Sequence, residues 1–366
     1  MPSFLLRRDV RTGQSRIARH LAAFTCRASC QHGRRATPGV LVLVLVLANV
    51  SCSQQQVLRY AHSNSVSDIP GQYANLLATL VAEKTGGALR IEVYPSSQLG
   101  GVREMIEAAQ LGIIDMGHYS FAALSPFLPE IAVFNFPYLY ENVDHALAAT
   151  DPATSAVARE LNARLIDRSN LGMIGSYFFG VRRLTTSGFP VFTPADLRGR
   201  KIRAIPIPLW IAMVQGMGAI PTPVDFSELP TALATGMVHG QENPVNTIYA
   251  ARIHETQEYL MLTDHMIDIN LVYMNHETLE ALPPAHRRAL LDAHRQAAAE
   301  VRRISEELQD SLVRKLGELG MQVISPENGL DVAAFRTAVT SHVRQTFPDW
   351  EPYIDRIRAI APTPRQ

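Results

Sequence analysis

The sequence predicts an α/β protein of two lobes, and three observations carry the prediction. Two stretches, Val57 to Gly117 and Lys201 to Gly240, each read as strand, helix, strand, helix, strand. They echo each other in residues as well as in order. Glu107-Ala108-Ala109-Gln110-Leu111-Gly112 ahead of Asp115-Met116-Gly117 parallels Thr231-Ala232-Leu233-Ala234-Thr235-Gly236 ahead of His239-Gly240. The third observation is a stretch rich in Ala, Arg, Glu and Leu, Ala285 to Leu319, which outruns the helix of an ordinary domain. With 366 residues, 47% of them hydrophobic and 19% charged, the chain can bury a core in each lobe.

The first unit opens with a strand from Val57 to His62. A helix follows over Ile69 to Lys84, with Leu76, Leu77, Leu80 and Val81 at helical spacing and Gly86-Gly87 to stop it. Leu89 to Tyr94 alternates as a strand, and Pro95 to Gly101 is turn chemistry. Val102 to Leu111 is a helix with apolar Met105 and Ile106, and Ile113 to Gly117 is the third strand. Further on, Gly172 to Phe179 reads as a buried parallel strand, apolar on both faces.

The second unit holds the two segments around which the chain is organised, Lys201-Ile202-Arg203 and Gly240-Gln241-Glu242-Asn243-Pro244. Lys201 to Ile205 reads as a strand, and Pro208 to Gly216 as a helix with proline in its first turn, where a missing N–H costs nothing. Ile220 to Val224 reads as a strand, Ser227 to Thr235 as a helix closed by Gly236, and Met237 to Gly240 as the last strand. Ligands of parallel sheets sit outside the carboxyl ends of the strands, where both segments fall. An Arg there presents a planar fork of donors that suits a carboxylate and that a Lys cannot match. The plainer role for Arg203 is a surface ion pair. Beyond Pro244, Asn246 to Ala251 and His254 to Leu260 continue as helix, and Ile267 to Met274 returns as a strand towards the first lobe. Pro283-Pro284 opens the long helix, Ile324 to Asp331 is a loop, and Ala333 to Ile360 supplies closing helices.

These segments resemble the solute-binding proteins of tripartite ATP-independent periplasmic (TRAP) transporters, of the dicarboxylate-binding type. The family pattern K-[IL]-R, then G-A-x-P-T-P-x-x-F-S-E, then G-Q-E-N-P stands here as Lys201 to Arg203, Gly218 to Glu228 and Gly240 to Pro244. Tyr94 to Met116 and Val133 to Leu139 match two more family patterns, and the likeness runs from about Leu58 to the final helices. The resemblance implies a two-lobed periplasmic-binding-protein fold with a hinge. Residues 57–180 with about 268–308 would form one lobe and 181–267 with about 309–366 the other. The long helix would bridge both, whereas taken alone it would read as a coiled coil. The resemblance also implies a small organic acid as ligand, clamped through its carboxylate by Arg203 and delivered to the TRAP membrane permease subunits. It implies neither catalysis nor a cofactor.

Gly180 to Ser187 resembles the family's G-F-R-x-L-T-N-S, whose Arg is a second substrate contact. A gap-free match through Pro190 selects Arg182, while counting back from Arg203 in some members selects Arg183. Strand alternation lets only one of the two aim inward, and Arg182 is taken. Asn243 offers both a donor and an acceptor. Phe226 either walls the apolar part of the ligand or packs in the core. His62, Tyr119 and Ser120 follow predicted strands and would face the cleft, at positions where family members vary with substrate. Ser120 falls near an acidic residue of sialic-acid binders, which argues against that ligand. Two positions depart from the family pattern: His239 stands for the usual Asp, and Asp225 for a small residue.

Other chemistries lack their motifs. No Walker loop or G-x-S-x-G elbow is present, and Gly216 to Pro221 puts proline where a dinucleotide fingerprint needs glycine. His254-Glu255 and His276-Glu277 begin like a zinc motif, but Glu258 and Glu280 replace the second His. Lys and Arg, 34 together, balance 34 Asp and Glu, which argues against nucleic acid as a partner. Cys26, Cys30 and Cys52 all lie in the leader, so the body has no disulfide framework. Residues 1–53 read as that leader. The apolar run Val40 to Ala48 is too short to span a bilayer, which needs about 20 residues, but suits a signal peptide. Cys52 either carries a lipid tether or lies near an ordinary cleavage point. The long lead-in reflects either a start codon set too far upstream or a twin-arginine signal at Arg34-Arg35. A sensor that presents its acid to a membrane receptor shares every one of these features, and a secreted hydrolase is the remaining alternative. The sequence does not name the acid.

Overall fold

The computed structural model describes residues 55–360. The leader and Cys52, with the lipidation and cleavage readings attached to them, lie outside that range. The chain opens with β1 (Gln56–Ala61), α1 (Ile69–Lys84), β2 (Leu89–Tyr94), α2 (Val102–Gln110) and β3 (Met116–Ser120). β1 pairs in parallel with β2 and with β3, as a β-α-β-α-β unit requires. Asp68 starts α1, its carboxylate accepting the Ile69 N–H at 2.8 Å, and Pro70 fits the first turn. Two helices that hydrophobic spacing did not reveal come next, α3 (Val143–Thr150) and α4 (Ala156–Ser169). Both carry a capping side chain, Asn142 and Ser155, each accepting the N–H three residues on.

The second unit consists of β4 (Leu171–Thr186), β5 (Lys201–Ala204), α5 (Pro208–Gly216), β6 (Ile220–Pro223), α6 (Leu229–Ala234), β7 (Gly240–Pro244) and α7 (Val245–Ala250). β8 (Tyr259–Asn275), α8 (His276–Ala281), α9 (Pro284–Glu318), β9 (Gln322–Ile324), α10 (Val332–Thr346) and α11 (Glu351–Arg358) complete the described chain. The strands form a sheet in the order β2-β1-β3-β8-β4-β7-β5-β6, with β9 on the free side of β8. Three readings change. β4 is antiparallel to both β7 and β8 rather than parallel, and it is twice the expected length. The segment Gly240–Pro244 is itself a strand, which begins where the expected one ended. The helix expected over His254 to Leu260 shrinks to a single turn at Ile253–Glu255, because Tyr259 and Leu260 pair with Thr186 and Thr185 instead. Gly240 permits this arrangement: a Cβ there would lie 2.2 Å from the Thr185 carbonyl oxygen.

β4 and β8 run the whole height of the sheet and join its two halves. Between them the ladder shifts register three times, at Met173/Gly175, Phe178/Gly180 and Arg182/Leu184, and the last of these is the widest. Arg182 faces Met266 and Leu184 faces Met261, so Arg183 alone opposes the four residues Leu262 to His265. Asp264, within that excursion, takes a left-handed φ of 43°. The long helix α9 lies across both halves. Its Leu290, Ala293, Ala297 and Val301 pack with Leu58, Tyr73 and Leu77, while Leu316 packs with Val245 and Ile248. At 1.5 Å per residue, its 35 residues reach about 52 Å. Its exposed face is laced by pairs such as Arg303 with Glu300 and Glu307.

Candidate functional site

Two adjoining chambers lie between the carboxyl ends of β1 and β3 on one side and β5 and β7 on the other. The outer one, about 300 Å³, is bordered by Arg203, Asp225, Pro206 and the helix α2. The inner one, about 30 Å³, is bordered by Arg182, Trp210, Asn243, Asp268 and Ser120. Tyr119, Ile205 and Phe226 line both and so form the partition.

Arg203 is 1% exposed on β5. Its Nε donates to the Val224 carbonyl at 2.8 Å, which orients the guanidinium and leaves the outer edge of the fork. Nη1 and Nη2 are buried and have no hydrogen-bond partner in the protein. Burial pulls its pKa below the usual arginine range, and neither Tyr119, Glu242 nor Asp225 offsets that. A buried cation with four unused N–H groups is a costly arrangement unless an anion completes it.

Arg182, 2% exposed, is the reverse case. Its Nε and Nη2 grip the Glu242 carboxylate, and Nη1 donates to Asp268 at 2.7 Å. Nη2 also reaches the Glu242 carbonyl at 2.8 Å and Asn243 Oδ1 at 3.1 Å. His265 Nε2 lies 3.0 Å from Glu242 Oε2, the oxygen that also accepts from Arg182 Nε. Burial alone would raise Glu242, but Arg182 and His265 overcome it and hold this carboxyl at about 2. Burial prevails at Asp268, whose pKa is raised despite Arg182. The charge of Arg182 is thus already matched within the protein, whereas Arg203, among the described residues that line the two chambers, is the buried guanidinium with both Nη groups unpaired. Arg183 turns away and pairs with the half-exposed Asp264 at 2.7 Å.

Of the residues singled out from the sequence, Arg203, Tyr119 and Phe226 border the outer chamber, and Arg182, Asn243 and Ser120 the inner one. Phe226 lines both chambers and also packs against the core around Leu229 and Val245. His62 is a correction. Its ring stacks on His118 at 4.8 Å, beside Tyr60, because residues 60, 62 and 118 share the sheet face opposite Tyr119. His239 closes a strand end, its Nδ1 accepting the Lys201 N–H at 3.1 Å. Trp210, Asp268 and Asn270 line the inner chamber without having been foreseen. Asp268 and Asn270 arrive through the pairing of β8 with β4, and Trp210 from the first turn of α5.

The histidine cluster behind the chamber has a measurable consequence. Burial lowers His62 and His294 from 6.5 to about 4, and burial with the neighbouring His62 holds His118 well below its ordinary value. The unfolded chain therefore takes up protons first as pH falls. Stability should be intact above about 6.5 and drop by several kcal/mol between there and pH 4. Below about 4.5 the loss of Glu242 adds to it. Urea midpoints at pH 7, 5.5 and 4 measure this, and His294→Phe should flatten the profile; a midpoint independent of pH would refute the neutral-histidine core.

A two-lobed α/β chain whose cleft holds one uncompensated guanidinium is a receptor for a small anion. The chain belongs to the bacterial extracellular solute-binding protein family 7, whose family model matches residues 60–349, the family of the TRAP solute-binding proteins. It is a solute-binding protein. The 2,3-diketo-L-gulonate-binding periplasmic protein of Escherichia coli is 32% identical over 86% of this chain and 94% of its own. A TRAP periplasmic solute-binding protein from Bordetella bronchispeptica superposes with a TM-score of 0.77 at 32% identity, covering 84% of this chain and all of that one. One from Polaromonas, bound to D-erythronate, gives 0.76 at 27% identity over 83% and 99%. Among the described residues no helix is long and apolar enough to cross a membrane.

Proposed function

We propose that this protein captures a small organic acid in the periplasm, through its carboxylate, and hands it to the membrane permease of a TRAP transporter. The single observation that carries the reading is Arg203, buried, oriented by Val224, and with both Nη groups unpaired beside the larger chamber. A carboxylate seated end-on would accept from Nη1 and Nη2 in parallel, the strongest pairing open to an arginine. Asn243 would meet the ligand from the inner side, held in place by Arg182, and Tyr119, Phe226 and Ser120 would shape the space around it. The lobes are taken as residues 57–180 with 268–308 and 181–267 with 309–366. Ligand bound to both would stabilise the closed form, and the permease would recognise that form. Outside the membrane the mature chain would be either free after cleavage near residue 53 or tethered through a lipid on Cys52.

Thermal unfolding of the mature chain against a panel of small carboxylic acids tests this. An acid at about 100 times its dissociation constant adds roughly 2.7 kcal/mol and should raise the midpoint by several degrees. An amide or alcohol of the same skeleton should not. A panel in which neutral analogues bind as well as the acids would overturn the reading.

A further inference from the structure

The inner chamber bears on which acids the cleft accepts. It contains two buried polar atoms with no hydrogen-bond partner, Trp210 Nε1 and Ser120 Oγ. Trp210 is 0% exposed and Ser120 4% exposed, so neither side chain faces bulk solvent. One is a donor and the other can donate or accept, and neither carries charge. The sole cation bordering this chamber, Arg182, already has Glu242 on its Nε and Nη2 and Asp268 on its Nη1. Asp268 itself lines the chamber and presents a carboxyl to whatever enters. The Asn270 amide, also in the wall, is spent in part on Tyr177 Oη at 3.1 Å.

We infer that the protein selects hydroxylated monocarboxylic acids over dicarboxylic acids, with Trp210, Ser120 and Asp268 as the residues that make the choice. The inference rests on the reading of Arg203 as the carboxylate anchor. With one carboxylate on Arg203, the rest of a ligand that extends past Tyr119 and Phe226 meets neutral donors and acceptors and a carboxyl. A hydroxyl there accepts from Trp210 Nε1 and donates to Asp268 or Ser120, which pairs groups that are otherwise buried unpaired. A second carboxylate would find no free cation and would lie against Asp268, a like-charge contact in a site with little water. A plain alkyl tail would avoid the repulsion but leave Trp210 and Ser120 unpaired.

Calorimetric titration of the mature chain with three probes of equal carbon number decides the matter: D-erythronate, butanoate and succinate. D-erythronate should bind roughly ten- to a hundredfold more tightly than either of the others. Trp210→Phe, which keeps the ring and removes the donor, should cut the preference for D-erythronate over butanoate by about fivefold or more. Asp268→Asn should improve succinate relative to D-erythronate. If succinate binds as tightly as D-erythronate to the wild type, and Arg203→Ala loses both, the selectivity is refuted while the carboxylate anchor stands. If Arg203→Ala retains both, or if no acid of any kind binds, the anchor itself is wrong and the inference falls with it. An unchanged hydroxyl preference in Trp210→Phe together with an unchanged succinate ratio in Asp268→Asn would remove these residues from the choice.

Discussion

Arg203→Met should lose acid binding by at least a hundredfold while leaving the unliganded protein as stable as the wild type or more so. The two effects have one origin. Bidentate pairing with a desolvated carboxylate contributes about 3 to 5 kcal/mol, and methionine supplies none of it. Without ligand, the guanidinium is buried with Nη1 and Nη2 unpaired, so its removal relieves desolvation of about 1 to 3 kcal/mol. Methionine roughly preserves the aliphatic stem and limits any cavity. Titration with an acid that the wild type binds, and urea unfolding without it, measure both terms. A variant destabilised by more than 2 kcal/mol would mean that Arg203 holds the fold rather than the ligand.

The second large effect is the opposite phenotype at a residue of the same type and burial. Arg182→Met should destabilise the protein by about 3 to 5 kcal/mol whether or not ligand is present, because Glu242 and Asp268 would remain buried with no cation between them. Glu242→Gln in the Arg182→Met background should recover part of the loss, since it removes one of the stranded charges. Urea midpoints of the two single variants and the double variant give the coupling directly. Additive losses would show that the three residues do not act as a unit.

Much of the fold was legible because it is written in short-range spacing. The helices Ile69–Lys84 and Pro208–Gly216 and the strand Leu89–Tyr94 begin and end where their periodicity, prolines and glycines put them. Arg203 and Asn243 could be singled out because each sits in a compact segment of the sequence. What could not be read is whatever depends on partners distant in sequence. Arg182 meets Glu242 across 60 residues and Asp268 across 86, so nothing near Arg182 reveals that its charge is already matched. The full lengths of β4 and β8 were hidden for the same reason: the end of β4 from Arg182 to Thr186 and the stretch of β8 from Thr263 to His265 are polar, and pairing rather than hydrophobic alternation holds them extended. Trp210 looked like one more apolar helix residue, though its indole N–H was a signal that a buried partner was needed. The error at His62 was avoidable, since it shares parity with Tyr60, whose face is the core under α1.

The strand order has a consequence for the birth of the molecule. β8 lies between β3 and β4, although residues 187–258 separate it from β4 in the chain. The sheet around β3 and β4 therefore has a missing plank until Ile267 to Asn275 have been synthesised, and α9, which covers that sheet, comes later still. Contacts of such long sequence separation form slowly, and a nascent chain cannot form them at all. Three quarters of the polypeptide must exist before any of it can close into a stable body. Over that interval β3 and β4 each keep an unpaired edge where β8 will insert.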